Sequence, residues 1–83
     1  MNDNNNIRNI QLENGATPIA LRNDMVLAIS WLTDRVEYVT WRIFEDEWRV
    51  EPGFLCCSSG HYFGSDILAA ARDFEERAGS EER

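Results

Sequence analysis

The segment Val36–Phe44 (VEYVTWRIF) constrains the fold of this chain more than any other segment. β-branched and aromatic side chains dominate it, and such residues fit the pleated, half-buried surface of a β-strand. Because successive side chains of a strand point to opposite sides of the sheet, Val39, Trp41 and Ile43 share one side. We expect that side to face the core.

Residues 24–34, which come directly before this strand, suit two structures. Asp24 could cap a helix, and the apolar run after it would form a buried strand equally well. The turn-forming residues 33–35 favour the strand, because they would return the chain into the next segment. The helix remains the alternative.

Other regions also carry strand signals. Asn14-Gly15 favours a tight turn and Pro18 interrupts any strand that follows, so we expect a short hairpin there. Residues 48–51 alternate between apolar and polar side chains, as a half-buried antiparallel strand does. Residues 54–63 predict either two strand fragments or one strand with a bulge at residues 59–60.

Residues 66–78 show the pattern of an amphipathic helix. Ser65 is suited to cap its N-terminus, the helix dipole favours Asp66 in the first turn, and Gly79 is a typical stop. The apolar stripe is expected to comprise Ile67, Ala70, Ala71, Phe74 and Ala78. The side chains expected to point away from it are Arg72, Asp73, Glu75 and Glu76.

Strands followed by a terminal helix predict an α+β fold. We expect a small antiparallel sheet of three to five strands, with the C-terminal amphipathic helix packed on one face. With 83 residues the chain has room for one domain. That domain is placed at residues 7–79, after a disordered polar tail at residues 1–6 and before a polar tail at residues 80–83.

Candidate catalytic groups are few. Cys56 and Cys57 are adjacent, so in a strand they point to opposite faces and rarely bridge each other. His61 is the only histidine, which is too few for a zinc site, and it stands too far along a strand from the cysteines for a thiol–imidazole pair. We expect no metal, no cofactor and no enzymatic activity.

The chain has fifteen acidic residues against eight arginines and no lysine, a net charge of −7. That charge disfavours direct binding to nucleic acid or to an anionic membrane. No secretory signal is evident, and the longest apolar run is far shorter than the ~20 residues that span a bilayer. We therefore expect a cytoplasmic protein of a bacterial host cell.

The acidic residues predict contact with a basic protein surface. On one face of a strand, alternate carboxylates lie roughly 6.6 Å apart, close to the spacing of phosphates in nucleic acid, so the surface could mimic a nucleic acid. Exposed tyrosines could anchor such a contact. The candidate partner-binding residues are Glu45, Asp46, Glu47, Glu51, Glu75, Glu76, Tyr38 and Tyr62.

Three motifs resemble those of small proteins encoded by phages and other mobile elements: residues 38–41 (YVTW), residues 60–63 (GHYF), and Ala70 with Asp73, Phe74 and Arg77. The small size and acidity are also similar to those of anti-CRISPR proteins. The resemblance implies an inhibitor that blocks a basic nucleic-acid-handling protein, such as a CRISPR effector subunit.

A homodimeric structural or regulatory protein is the alternative, so the chain is expected to be a monomer or a homodimer. If the helix covers one face of the sheet, the other face stays open unless a partner covers it. We expect that open face to carry Tyr38, Thr40 and Arg42.

Overall fold

A computed structural model of the protein describes residues 10–45 and 54–80. Five strands precede one helix, so the predicted α+β class is confirmed. The strands are β1 (Gln11–Leu12), β2 (Thr17–Arg22), β3 (Met25–Trp31), β4 (Val36–Phe44) and β5 (Phe54–Tyr62), and the helix is α1 (Ile67–Ser80).

Three sequence predictions lie outside the described residues: the strand at 48–51, the tail at 1–6, and the C-terminal tail beyond Ser80. In the part of the chain that is described, no helix is both long and apolar enough to cross a membrane.

The five strands form one curled sheet in the order β1-β5-β4-β3-β2. All neighbours are antiparallel except β1 and β5, which run parallel, so the sheet is mixed. β3 pairs with β4 along its whole length, from Met25 opposite Arg42 to Trp31 opposite Val36. This pairing confirms the strand prediction for residues 24–34 over the helical alternative.

The N-terminal hairpin prediction is wrong, although its turn exists. Gly15 has a positive φ of 81°, and its N–H donates to the Leu12 carbonyl over 3.0 Å. β1 nevertheless pairs with β5, and β2 pairs with β3. A turn fixes only the local reversal of the chain, whereas the burial of Leu12 decides where β1 is placed.

Pro18 lies within β2 and does not interrupt it. β2 is the last strand in the sheet order, and proline is tolerated at a sheet edge because its missing N–H removes no inner ladder bond. The pairing with β3 shifts register between Pro18 and Ala20. The strand thus continues past the proline with an irregularity at Ile19.

Both faces of the sheet are covered. Inside the curl, Val39, Trp41 and Ile43 pack with residues from β1, β3 and the turn before β2, so the predicted core side of β4 is confirmed. On the opposite face, Ala70, Phe74 and Ala78 of α1 pack on Met25 and Leu27, with Tyr38 against this cluster. The face expected to stay open is therefore the one that the helix covers.

The helix differs from its sequence prediction in three details. Asp66 is its cap, because its Oδ1 accepts the Ala69 N–H over 3.0 Å, so Ser65 is not the N-cap. Gly79 lies inside the helix instead of ending it. Asp73 does not point away from the sheet, because its carboxylate reaches β4 and β5.

β5 is one strand with a bulge, as one of the two sequence alternatives had it. Thr40 pairs with His61 and Arg42 with Ser58, so Ser59 and Gly60 both stand opposite Trp41. Ser59 adopts a φ of 55°, as bulge residues do. A Cβ on Gly60 would lie 2.6 Å from Trp41 Nε1, which is closer than van der Waals contact allows.

Gly60→Ala is expected to lower the free energy of unfolding by about 1–3 kcal/mol, because the new methyl group displaces the buried Trp41 ring. The matched control is Gly79→Ala, whose Cβ would meet no atom within 4 Å. Since alanine is the better helix former, that control should be neutral or stabilising by up to about 1 kcal/mol. Urea unfolding measures both, and equal effects would contradict the bulge contact.

Candidate functional site

A polar cluster joins α1 to the sheet at Asp73. The Thr40 hydroxyl donates to Asp73 Oδ2 over 2.6 Å, and Nδ1 of His61 lies 3.0 Å from the same oxygen. Arg77, one turn further along α1, donates to Thr40 Oγ1 over 3.0 Å and lies 3.8 Å from Asp73 Oδ2. Groups from β4, β5 and α1 thus converge on one carboxylate.

Burial divides the cluster into an inner and an outer part. Thr40 is fully buried, so its hydroxyl depends on Asp73 and Arg77 for hydrogen bonds. The side chain of His61 is about half exposed at the outer edge. The inner part therefore has a packing role, and the imidazole is the only member that an outside molecule reaches readily.

The geometry of this cluster is not that of a catalytic triad. Asp73 orients His61 through Nδ1, as the acid of a triad does. A triad also needs a nucleophile at the other ring nitrogen, but the Thr40 hydroxyl is committed to the carboxylate. Sequence analysis missed the cluster because His61 and Asp73 come together only when α1 packs on the sheet.

Thr40→Val is expected to destabilise the fold by about 1–3 kcal/mol, because Asp73 loses its closest donor and Arg77 loses an acceptor. Thr33→Val makes the same chemical change in the exposed turn between β3 and β4 and should shift stability by no more than about 0.5 kcal/mol. Thermal and urea unfolding compare the two. Indistinguishable variants would show that the cluster contributes nothing to stability.

The cysteines lie apart from this cluster. Cys57 packs with the core inside the curl, whereas His61 lies on the face that α1 covers. Both thiols are free. Burial, together with the nearby Glu13 carboxylate, raises the pKa of Cys57 from 9.0 to about 11. Because the thiolate is the reactive form, this residue is a poor nucleophile at neutral pH.

The raised pKa of Cys57 predicts a pH dependence of stability. Between pH 9.0 and about 11 the unfolded chain releases this proton while the folded chain retains it. The free energy of unfolding should therefore fall as pH rises through that window. Urea unfolding across it should show a steeper fall for the wild type than for Cys57→Ala, and parallel curves would contradict the assignment.

The predicted acidic site is only partly within the described residues. Asp46, Glu47 and Glu51 lie outside them. Glu45, at the end of β4, is exposed, and so are Glu75 and Glu76 on α1. Glu75 pairs with Arg22 of β2 over 3.3 Å.

Ion pairing continues at other acids. Asp24 Oδ2 lies 2.8 Å from Arg42, and Asp34 Oδ1 lies 3.0 Å from Arg35. These guanidinium neighbours offset part of the negative charge in the described residues. A row of carboxylates at phosphate spacing is not found there.

The two predicted tyrosine anchors have different environments. Tyr38 is half-buried against the cluster beneath α1, so the expectation that it is an exposed anchor is wrong. Tyr62 is 62% exposed and its ring meets the edge of Trp41, with centroids 6.2 Å apart. Of the pair, Tyr62 is the one available to a partner.

Sequence analysis overlooked a more exposed aromatic residue. Trp31, at the end of β3, is 67% exposed, and its indole N–H donates to Thr17 Oγ1 over 3.0 Å. Leu68 in the first turn of α1 is 74% exposed. The exposure of Trp31 was hidden because its position in an apolar run is typical of core residues.

Among residues 10–45 and 54–80, no three or more His, Cys, Asp or Glu side chains are grouped so as to hold a metal ion. Comparison with known proteins gives no match to a family model, to a curated protein or to a solved structure. The functional proposal therefore depends on the surface of this chain alone.

Proposed function

We propose that this chain is a small acidic protein-binding inhibitor that docks on a basic nucleic-acid-handling protein of a bacterial defence system, with a CRISPR effector complex as the partner class. The observation that supports it best is Trp31, a large aromatic side chain exposed on the surface and held by a hydrogen bond. Tryptophan is among the residues most enriched at binding hot spots.

Orientation is already fixed at this anchor. The hydrogen bond to Thr17 holds the indole against the neighbouring strand β2, so less side-chain freedom is lost on binding. Apolar side chains of this size are costly to leave in water. A partner that covers Trp31 therefore gains from burial while losing little conformational entropy.

Net charge supplies the second part of the proposal. At −7 the chain attracts basic surfaces, and a field of this kind raises the association rate more than the affinity. Ion pairs such as Arg22–Glu75 fix some carboxylates in place without removing the overall excess. In this proposal charge guides the encounter and Trp31 anchors the complex.

A plasmid-interference assay tests the inhibitor. Cells that carry a CRISPR system and express this chain should accept a targeted plasmid that control cells reject. Trp31→Ala should abolish the protection by removing the anchor, a loss of at least about 2 kcal/mol, or roughly 30-fold in affinity for the purified effector. Tyr62→Ala removes a similarly exposed aromatic residue from the opposite face and should retain protection.

Circular dichroism should show that both variants are folded. Raising the ionic strength from about 0.1 to about 1 M shortens the Debye length from about 10 to about 3 Å and should slow association with the effector. An association rate indifferent to salt would argue against electrostatic guidance. No protection across a panel of CRISPR types would overturn the proposed partner class.

A further inference from the structure

The helix leaves one strip of its own sheet face uncovered. α1 packs on β3 and β4. An α-helix is about 10 Å wide and strands are about 4.8 Å apart, so one helix covers about two strands. β2 lies beyond β3 in the sheet order, so the surface over β2 and the far end of β3 has space beside the helix.

The salt bridge between Arg22 and Glu75 identifies which side of α1 faces this strip. Arg22 belongs to β2, so the side of α1 that carries Glu75 looks towards β2. Leu68 precedes Glu75 by seven residues, which is close to two helical turns, and therefore lies on the same side. Asp73 points the other way, to His61 of β5.

Trp31 lies on the same face of the sheet. Met25 and Leu27 contact the helix, and residues two apart on a strand share a face, so Ile29 and Trp31 belong to that face as well. Ile29 is half-buried, whereas Trp31 and Leu68 are the two most exposed large apolar residues described. We call Ile29, Trp31 and Leu68 the Trp31 strip.

The charges at this end of the molecule are mostly negative. Asp34 and Glu37 lie in and beside the turn that joins β3 to β4, and Asp66 caps α1 at the same end. Arg35 is the only arginine described in these segments, and it pairs with Asp34. An apolar strip with an acidic rim complements a ligand that is apolar on one side and basic beside it.

A second copy of this chain is a poor match for the strip. Its described helix presents Glu75 and Glu76 on the exposed side, and these acids would face the acidic rim. Like charges brought together at an interface disfavour association. The occupant that the geometry favours is a separate protein.

We propose that the Trp31 strip binds an amphipathic helix of a partner protein, laid beside α1 as a second helix on the same sheet face, with arginines or lysines next to its apolar stripe. Helices commonly bind in this way, through apolar residues at i, i+3, i+4 and i+7. This inference rests on the proposed inhibitor function and names the partner element that the protein recognises.

The test is an NMR titration of the ¹⁵N-labelled full chain. The probe is a synthetic helical peptide of about 16 residues with leucines at i, i+3, i+4 and i+7 and arginines elsewhere. The chain has three tryptophans, and the Trp31 indole signal is the one missing from a Trp31→Phe spectrum. The leucine–arginine peptide should shift that signal saturably.

Two control peptides separate apolar from electrostatic binding. Replacing the leucines by serine, or the arginines by glutamate, should each weaken binding at least 10-fold. Leu68→Ala should weaken binding of the first peptide about 10-fold as well. Leu21→Ala, which shortens an exposed leucine on β2 opposite Val26 of the inner core, should not.

Three results would overturn the strip as the binding site: no saturable shift of the Trp31 signal, equal binding of the serine peptide, or a Trp31 shift that appears on concentrating the protein alone. The last would identify a second copy as the occupant. If the peptide binds at Trp31 but the plasmid assay shows no protection, the strip stands and the proposed inhibitor function fails.

Discussion

Asp73 is the group on which the arrangement of the two layers depends. It stands on α1, accepts a hydrogen bond from the fully buried Thr40 of β4, and contacts His61 of β5. Apolar packing of Ala70, Phe74 and Ala78 drives the helix onto the sheet but is not directional. Hydrogen bonds are directional, so the cluster around Asp73 determines where along the sheet the helix lies.

The position of the helix in turn decides which surfaces the protein offers. Asp73 holds one side of α1 over β4 and β5, while Glu75 reaches Arg22 of β2 on the other side. Because the sheet also curls around its second core, neither face is left broadly open. What remains for a partner is the narrow surface at Trp31 and Leu68, together with the negative charge of the exterior.

Sequence patterns located most elements because local preferences and burial agree there. β4 was evident from its β-branched and aromatic residues, and the bulge in β5 from Ser59 and Gly60. The candidate site was harder to predict. Of the two tyrosines proposed as anchors, one is half-buried, while Trp31 was overlooked, because exposure depends on which neighbours cover a side chain and not on the residue itself.

By itself, then, the sequence determined the α+β class, the strong β4 strand, the amphipathic helix and the acidic excess, since these follow from side-chain chemistry and short-range spacing. Only the tertiary structure decided that β1 joins β5, that the helix covers the Tyr38 face, and that Asp73 meets His61 and Thr40. The physical reason is that these contacts join residues far apart in the chain. Their energies compete across the whole fold, and no local pattern encodes which pairing buries the most apolar surface.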